Sequence, residues 1–121
     1  MKLLNEYTLE VKKSKFIALM YEVNTTDEVN TILEQLKKEH KKARHIPYAY
    51  KIGPNVKKTD DKEPSNTAGT PIYNIIDKKK LDNVLIVVIR YFGGIKLGAG
   101  GLFRAYSSSA SEVANKEWFH V

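Results

Sequence analysis

Apolar and polar residues alternate near the amino end of the chain: Tyr7, Leu9 and Val11 are separated by Thr8 and Glu10 and followed by Lys12. That period of two belongs to a strand with one buried face, and it predicts a first strand near Glu6 to Lys12. Lys15 to Val23 is richer in apolar side chains and predicts a second strand. The two would pair through Lys12 to Ser14, a connection lacking the Gly or Asn that short hairpins favour. The period then changes. Thr25 and Glu28 have the spacing of a capping box, so a helix should start there. Val29, Ile32, Leu33 and Leu36 recur on one helical face, which His40 would extend, while Glu34, Lys37, Lys38 and Lys41 face water.

Ile46 to Ile52 predicts a third strand, with Ile46, Tyr48, Tyr50 and Ile52 on one face and Ala49 and Lys51 on the other. Pro47 has no donor for a ladder bond and suits an edge or a strand start. Gly53 to Gly69 is polar, holds two prolines and shows neither period, so it reads as a long loop. Thr70 and Pro71 open a second helix, with Ile72, Ile75 and Ile76 as its apolar face and Lys78 to Lys80 at its end. Val84 to Ile89 is an unbroken apolar run, which places it centrally in a sheet and requires cover on its outer face. A last helix should begin near Gly98 to Gly101 and run to about Lys116, with Leu102, Ala105, Ser109 and Val113 as a narrow stripe of mostly small residues.

Between the last strand and the last helix lies RYFGGIKLGAGGLFRAY, Arg90 to Tyr106, which holds five of the seven glycines together with Arg90, Lys96 and Arg104 and no acid. Gly93, Gly94, Gly98, Gly100 and Gly101 either make a tight strand-to-helix turn or open backbone N–H groups to an anion. The spacing matches neither the mononucleotide loop nor the dinucleotide fingerprint, so no cofactor is expected. The net charge is +6, but Leu36 to Lys58 alone carries eight cations, among them Lys41, Lys42 and Arg44, against Glu39. Such a concentration is either a solvated helix end or a surface for phosphate backbones.

Asp60, Asp61 and Glu63 in the long loop offer oxygen ligands to a hard cation such as magnesium, without calcium-loop spacing. Equally, they are solvated, or they meet Arg90 or Arg104 across the fold and are structural. His45 has no acid or nucleophile at a readable spacing and is assigned to packing or hydrogen bonding. Ser107, Ser108, Ser109 and Ser111 lack the setting of an exposed nucleophile. Tyr48, Tyr50, Tyr91, Phe92, Phe103 and Tyr106 are mainly core candidates, one or two of which would face a ligand.

Four segments carry a resemblance: Arg90 to Tyr106, TDDKEPSNTAGTPI from Thr59 to Ile72, SKFIA from Ser14 to Ala18, and His45 with AYKIG from Ala49 to Gly53. Through them nearly the whole chain resembles the amino-terminal domain of the IMPACT family. The sequence departs from the family pattern at Lys62 and Asn66, where glycines are usual; Asn tolerates left-handed φ and Lys does so poorly.

The resemblance implies an α+β domain, a two-layer sandwich in which a mostly antiparallel four-stranded sheet carries three helices on one face. It is ribosomal-protein-like, as in domain IV of the translocation elongation factor, and the pattern-derived element order agrees. Eukaryotic relatives regulate translation initiation by binding the activator of a stress-responsive kinase, and microbial members have been suspected of binding nucleic acid. Many relatives carry a further ferredoxin-like domain; residues 1–121 are expected to form a single domain without it.

The chain has no cysteine, which excludes thiol catalysis, disulfides and thiolate metal sites and suits a reducing cytoplasm. No apolar run approaches the roughly 20 residues of a membrane span, and the amino terminus does not read as a signal peptide. The expected function is therefore a non-enzymatic, cytoplasmic, translation-linked regulatory protein. It would contact RNA or the ribosome through Arg90, Lys96 and Arg104, the five glycines, and Lys41, Lys42 and Arg44. The alternatives are a protein-interaction module in translation initiation or stress-kinase signalling, and a metal-dependent hydrolase of a phosphorylated small molecule. The sequence sets neither the oligomeric state nor the particular partner.

Overall fold

A computed structural model of the 121-residue chain describes residues 1–115. Its elements run β1 (Lys2–Val11), β2 (Ser14–Glu22), α1 (Thr26–Glu39), β3 (Tyr48–Ile52), β4 (Asn55–Thr59), α2 (Gly69–Lys78), β5 (Val84–Tyr91) and α3 (Gly98–Val113). The expected end of the last helix at Lys116 lies outside the described residues; within them α3 closes at Val113.

The strands form one antiparallel sheet in the order β1-β2-β5-β3-β4. The unbroken apolar strand β5 lies at its centre, paired with β2 on one side and β3 on the other. The sheet has five strands rather than four, because β4 forms inside the segment expected to be loop. Asn55–Thr59 is nearly all exposed, and pairing with β3 alone defines it as a strand.

Alternation along the central strands sends side chains to two cores. Phe16, Ala18, Met20, Ile86 and Val88 pack with Ile72 and Ile76 of α2 and Leu102, Ala105, Tyr106 and Val113 of α3. Leu19, Leu85, Val87 and Ile89 pack on the opposite face with Val29, Ile32, Leu33 and Leu36 of α1. The sheet with α2 and α3 makes the expected two-layer sandwich, whereas the expectation that all three helices share one face is corrected: α1 covers the other. The topology supplies the reason. β2 and β3 are parallel across β5, and β4 and β5 are parallel across β3, so α1 and α2 are both crossover helices. Crossovers of the same hand would place them on one face; helices on opposite faces mean that one crossover departs from the usual right-handed rule.

Local chemistry fixes the ends of these elements. Thr25 Oγ1 accepts the Glu28 N–H, and the Glu28 carboxylate reaches back to the N–H of Asn24. The hairpin between β1 and β2 turns through Lys12 and Lys13 at φ 47° and 68°, left-handed conformations that glycine would adopt more easily. Gly93 lies against this turn. A Cβ there would stand 2.0 Å from the Lys13 carbonyl oxygen, so no other residue fits without moving backbone. Lys62 and Asn66 take φ 70° and 63°, so the loop keeps the left-handed turns for which glycine is suited, although neither position is glycine.

A cationic cleft at the start of helix α3

The carboxyl end of β5 is bordered by the segment that follows α1. Arg44 N–H donates to the Arg90 carbonyl at 2.7 Å and Arg90 N–H to the His45 carbonyl at 2.9 Å. This short extra ladder brings the basic Lys41–Arg44 turn beside the last residues of β5. The loop between β4 and α2 closes over the same end. Asp60 accepts N–H bonds from Asn66, Ala68 and Gly69 and so caps α2 from nine residues upstream of its start. Asp61 accepts from the N–H of Ile46 at 2.7 Å, and its carbonyl accepts from Nδ1 of His45.

Glu63 is carried inward by that loop. Its side chain is 2% exposed and that of Arg90 6%. Arg90 Nη1 donates to both carboxylate oxygens at 2.9 and 2.7 Å, the Tyr106 hydroxyl donates to Oε2 at 2.5 Å, and His45 Nε2 stands 3.4 Å from Oε1. Burial and the bond to Glu63 hold the Tyr106 phenol well above its usual range. The network ties loop, β5 and α3 together. Arg90 is therefore a buried ion-pair partner rather than a free surface cation. The acids offered as weak candidates for a metal, Asp60, Asp61 and Glu63, are all engaged by protein donors, and among the described residues no cluster of His, Asp or Glu is arranged to hold a metal ion.

Above this network opens a cleft of about 320 Å³, lined by Arg44, His45, Lys62, Glu63, Arg90, Phe92 and Lys96, and by Leu97, Gly98 and Ala99 at the start of α3. Four cations face one carboxylate that Arg90 and Tyr106 already hold. The Arg44 guanidinium lies 4.6 Å from the Phe92 ring centre and that of Arg90 5.6 Å, so the ring separates rim from floor. Helix α3 starts without a side-chain cap and without an acid in its first turn. Gly98 has φ 75° and Gly94 φ 91°, and both need glycine. Gly100 and Gly101 have no such need, though each weakens a helix by about 1 kcal/mol relative to Ala.

The site residues expected from sequence separate into groups. Arg44, Arg90, Lys96 and Gly98 meet at the cleft. Lys41 and Lys42 are exposed on the turn leading to Arg44. Arg104 is turned away, lining a separate groove with Lys12, Gly101 and Ser108 on the β1 side of α3. Gly93 and Gly94 shape the turn. Lys62 escaped the sequence reading because it lay within a segment read for its acids. Phe92, 36% exposed, is one of the six aromatics of which one or two were expected to face a ligand, though nothing in the sequence singled it out from the core candidates.

Fold and site together define a small α+β domain with a cationic cleft where its central strand meets a glycine-rich helix start. The chain belongs to the IMPACT family: the Impact N-terminal domain matches residues 12–114. It is 46% identical over 113 residues to the IMPACT family member YvyE of Bacillus subtilis (strain 168), covering 91% of this chain and 52% of YvyE. A solved crystal structure of a hypothetical protein superposes with a TM-score of 0.86 at 30% identity, covering 93% of this chain and 60% of that one. The two-domain translational regulator Yih1 gives a TM-score of 0.54 at 25% identity, covering 93% of this chain and 45% of that one. The chain thus spans about half the length of the curated relatives it matches. Among the described residues no helix is long and apolar enough to cross a membrane.

Proposed function

We propose that this domain is a binding module in translation control that contacts RNA or the ribosome, using the cleft and the basic turn beside it. The observation that carries this reading is the cleft's composition: three exposed cations, Arg44, Lys62 and Lys96, gathered from three separate segments around an uncapped helix start. Cations so placed neutralise phosphates and release counterions, which gives affinity without base recognition. Yih1, a translational regulator of related fold, supports a role in translation.

The test is cosedimentation with ribosomes at low and near-physiological salt, comparing wild type with Arg44→Ala/Lys96→Ala. Comigration of wild type at the higher salt and its loss in the variant are expected. With single-stranded RNA, removing two phosphate contacts should lower the slope of log affinity against log salt by about 1.4. Wild-type protein remaining at the top of the gradient in both salts would refute the reading.

A second reading, a module for an acidic protein partner, draws on Phe92, Ile95 and Phe103, which are large apolar side chains exposed in and near the glycine-rich turn. A partner captured on that surface would survive excess RNA, whereas ribosome contact through the cleft would not.

A further inference from the structure

Strand β3 presents a pair of aromatic rings outside the cleft. Tyr48 and Tyr50 stand two residues apart on the α1 side of the sheet, their rings parallel within 6° and their centres 6.5 Å apart. Two residues of strand advance about 6.6 Å, so the rings repeat with the backbone that carries them. Both pack against the core under α1 yet remain partly exposed. On this face α1 packs over Leu19 of β2 and Leu85, Val87 and Ile89 of β5, whereas β4, beyond β3, is nearly all exposed. Lys57 of β4 pairs with Tyr50 in register and sets its ammonium 5.8 Å from the Tyr48 ring centre.

Resting on the RNA reading above, we infer that this face is a stacking platform for single-stranded RNA, with one base on Tyr48, one on Tyr50, and Lys57 and Lys37 meeting the phosphates. The ring spacing selects an unpaired strand. Bases on rings 6.5 Å apart lie at about twice the 3.4 Å repeat of a duplex strand, a separation that only an open strand reaches. Every base has a π-face, so the platform recognises unpaired bases rather than a sequence. Charge on this face suits a polyanion. Gln35 lines a groove with Leu3 and Tyr21, so that flank of α1 faces β1; Lys37 is about 200° further round and overlooks β3. The neighbouring acids are directed elsewhere. Glu39 accepts from Gln35 on the β1 flank, Asp60 and Asp61 accept backbone N–H groups, and Asp82 accepts from Gly53 beyond the far end of β3. The platform also leads to the cleft. His45 opposite Arg90 keeps the register of Tyr48 opposite Val87, so Arg44 lies about 13 Å up the same extended segment. The cleft offers a strand charge, and the platform adds the base contacts that charge alone does not give.

Two measurements test this. In the first, a short oligouridylate, an abasic oligomer of the same length and an RNA duplex are titrated against wild type and two variants, with affinity read by fluorescence anisotropy at several salt concentrations. Tyr48→Leu/Tyr50→Leu keeps an apolar cover over the core and removes the rings; Tyr48→Phe/Tyr50→Phe keeps the rings. Stacking contributes a factor of about five or more for each base, so the Leu variant should bind oligouridylate about 25-fold more weakly. Its salt slope should equal that of wild type, because no phosphate contact is lost. The Phe variant should bind as wild type does, and the abasic oligomer and the duplex should not distinguish the three proteins. An equal loss by the Phe variant, or an equal loss with the abasic oligomer or the duplex, would overturn the inference.

The second measurement needs no substitution and so does not depend on how the Leu variant folds. The ring-proton resonances of Tyr48 and Tyr50 are followed by NMR as oligouridylate is added to wild type. Stacked bases shield these protons, so saturable upfield shifts are expected at both rings. Rings unshifted at saturation, or a Leu variant that binds oligouridylate as tightly as wild type, overturn the platform and leave the RNA reading standing on the cleft. No binding of any RNA overturns the RNA reading itself and with it this occupant. An oligoglutamate peptide that shifts the same rings while oligouridylate does not would assign the face to an acidic protein and so refute the proposal.

Discussion

Replacing Glu63 by Gln keeps the shape of the side chain and removes its charge, which isolates what the carboxylate does. Glu63 is the acceptor for two bonds from Arg90 and one from Tyr106, at a site where the ion-pair side chains are 2% and 6% exposed. Breaking a buried pair from one side leaves the other charge without compensation, at a cost of about 3–5 kcal/mol. The Gln oxygen can still accept from one donor, so the low end, about 3 kcal/mol, is expected. That is a large share of the roughly 5–15 kcal/mol by which a domain is stable. With a urea dependence of about 1–3 kcal/mol/M, the unfolding midpoint should fall by about 1–3 M. A second substitution sharpens the reasoning. Adding Arg90→Met removes the uncompensated charge, so Glu63→Gln/Arg90→Met should recover at least half of the loss. A decrease below about 1 kcal/mol, the value of an exposed pair, would refute the reasoning, as would a double variant no more stable than Glu63→Gln alone.

Two further outcomes follow from backbone geometry and from the buried phenol. Lys62 at φ 70° carries a Cβ in a left-handed turn, so Lys62→Gly should raise stability by up to about 1 kcal/mol in urea unfolding, and a lower midpoint would refute that strain. The Tyr106 phenol is raised above its ordinary 10.0 by burial and by Glu63, so the folded protein holds a proton that the unfolded chain releases. The stability linked to that proton is complete below pH 10 and falls as pH rises beyond it. Tyr106→Phe should therefore show a shallower alkaline decline in thermal unfolding, with Tyr21, also raised by burial, sustaining part of the slope. An unchanged alkaline limb would argue against Tyr106 as its source.

The elements with a burial signal were legible. An uninterrupted apolar run at Val84–Ile89 could only be central, and the stripe on α1 and its cap marked that helix and its start. Strand β4 was hidden because Asn55–Thr59 contributes one large apolar side chain, Val56, and that one is exposed; its strand character comes from bonds to β3. The face occupied by α1 was also hidden. A helical stripe records that burial is needed, not which side of a sheet supplies it, and the hand of a crossover is a property of the whole chain path. At the site, charge density pointed to Arg44 and Lys96, but helical geometry removes Arg104. It stands two residues beyond Leu102, roughly 200° around the helix, and so faces away from the cleft that Leu102 lines.

The acidic loop had three readings in sequence, as metal ligands, as solvated charge, or as partners of Arg90 or Arg104, and the third holds for Glu63 alone, with a consequence for the site. Asp60 and Asp61 spend their carboxylates on backbone N–H groups, which fixes the path of the loop. Glu63 then spends its own on Arg90 and Tyr106, which fixes the loop to the sheet and to α3. Because these acids are turned inward, they organise the cleft without cancelling the charge at its rim. Lys62, immediately before Glu63 in a left-handed turn, is carried to that rim by the inward turn of its neighbour. The loop thus carries three acids and presents a cation. Its acidity is the means by which cations from the α1–β3 turn, the loop itself and the start of α3 come to surround one opening.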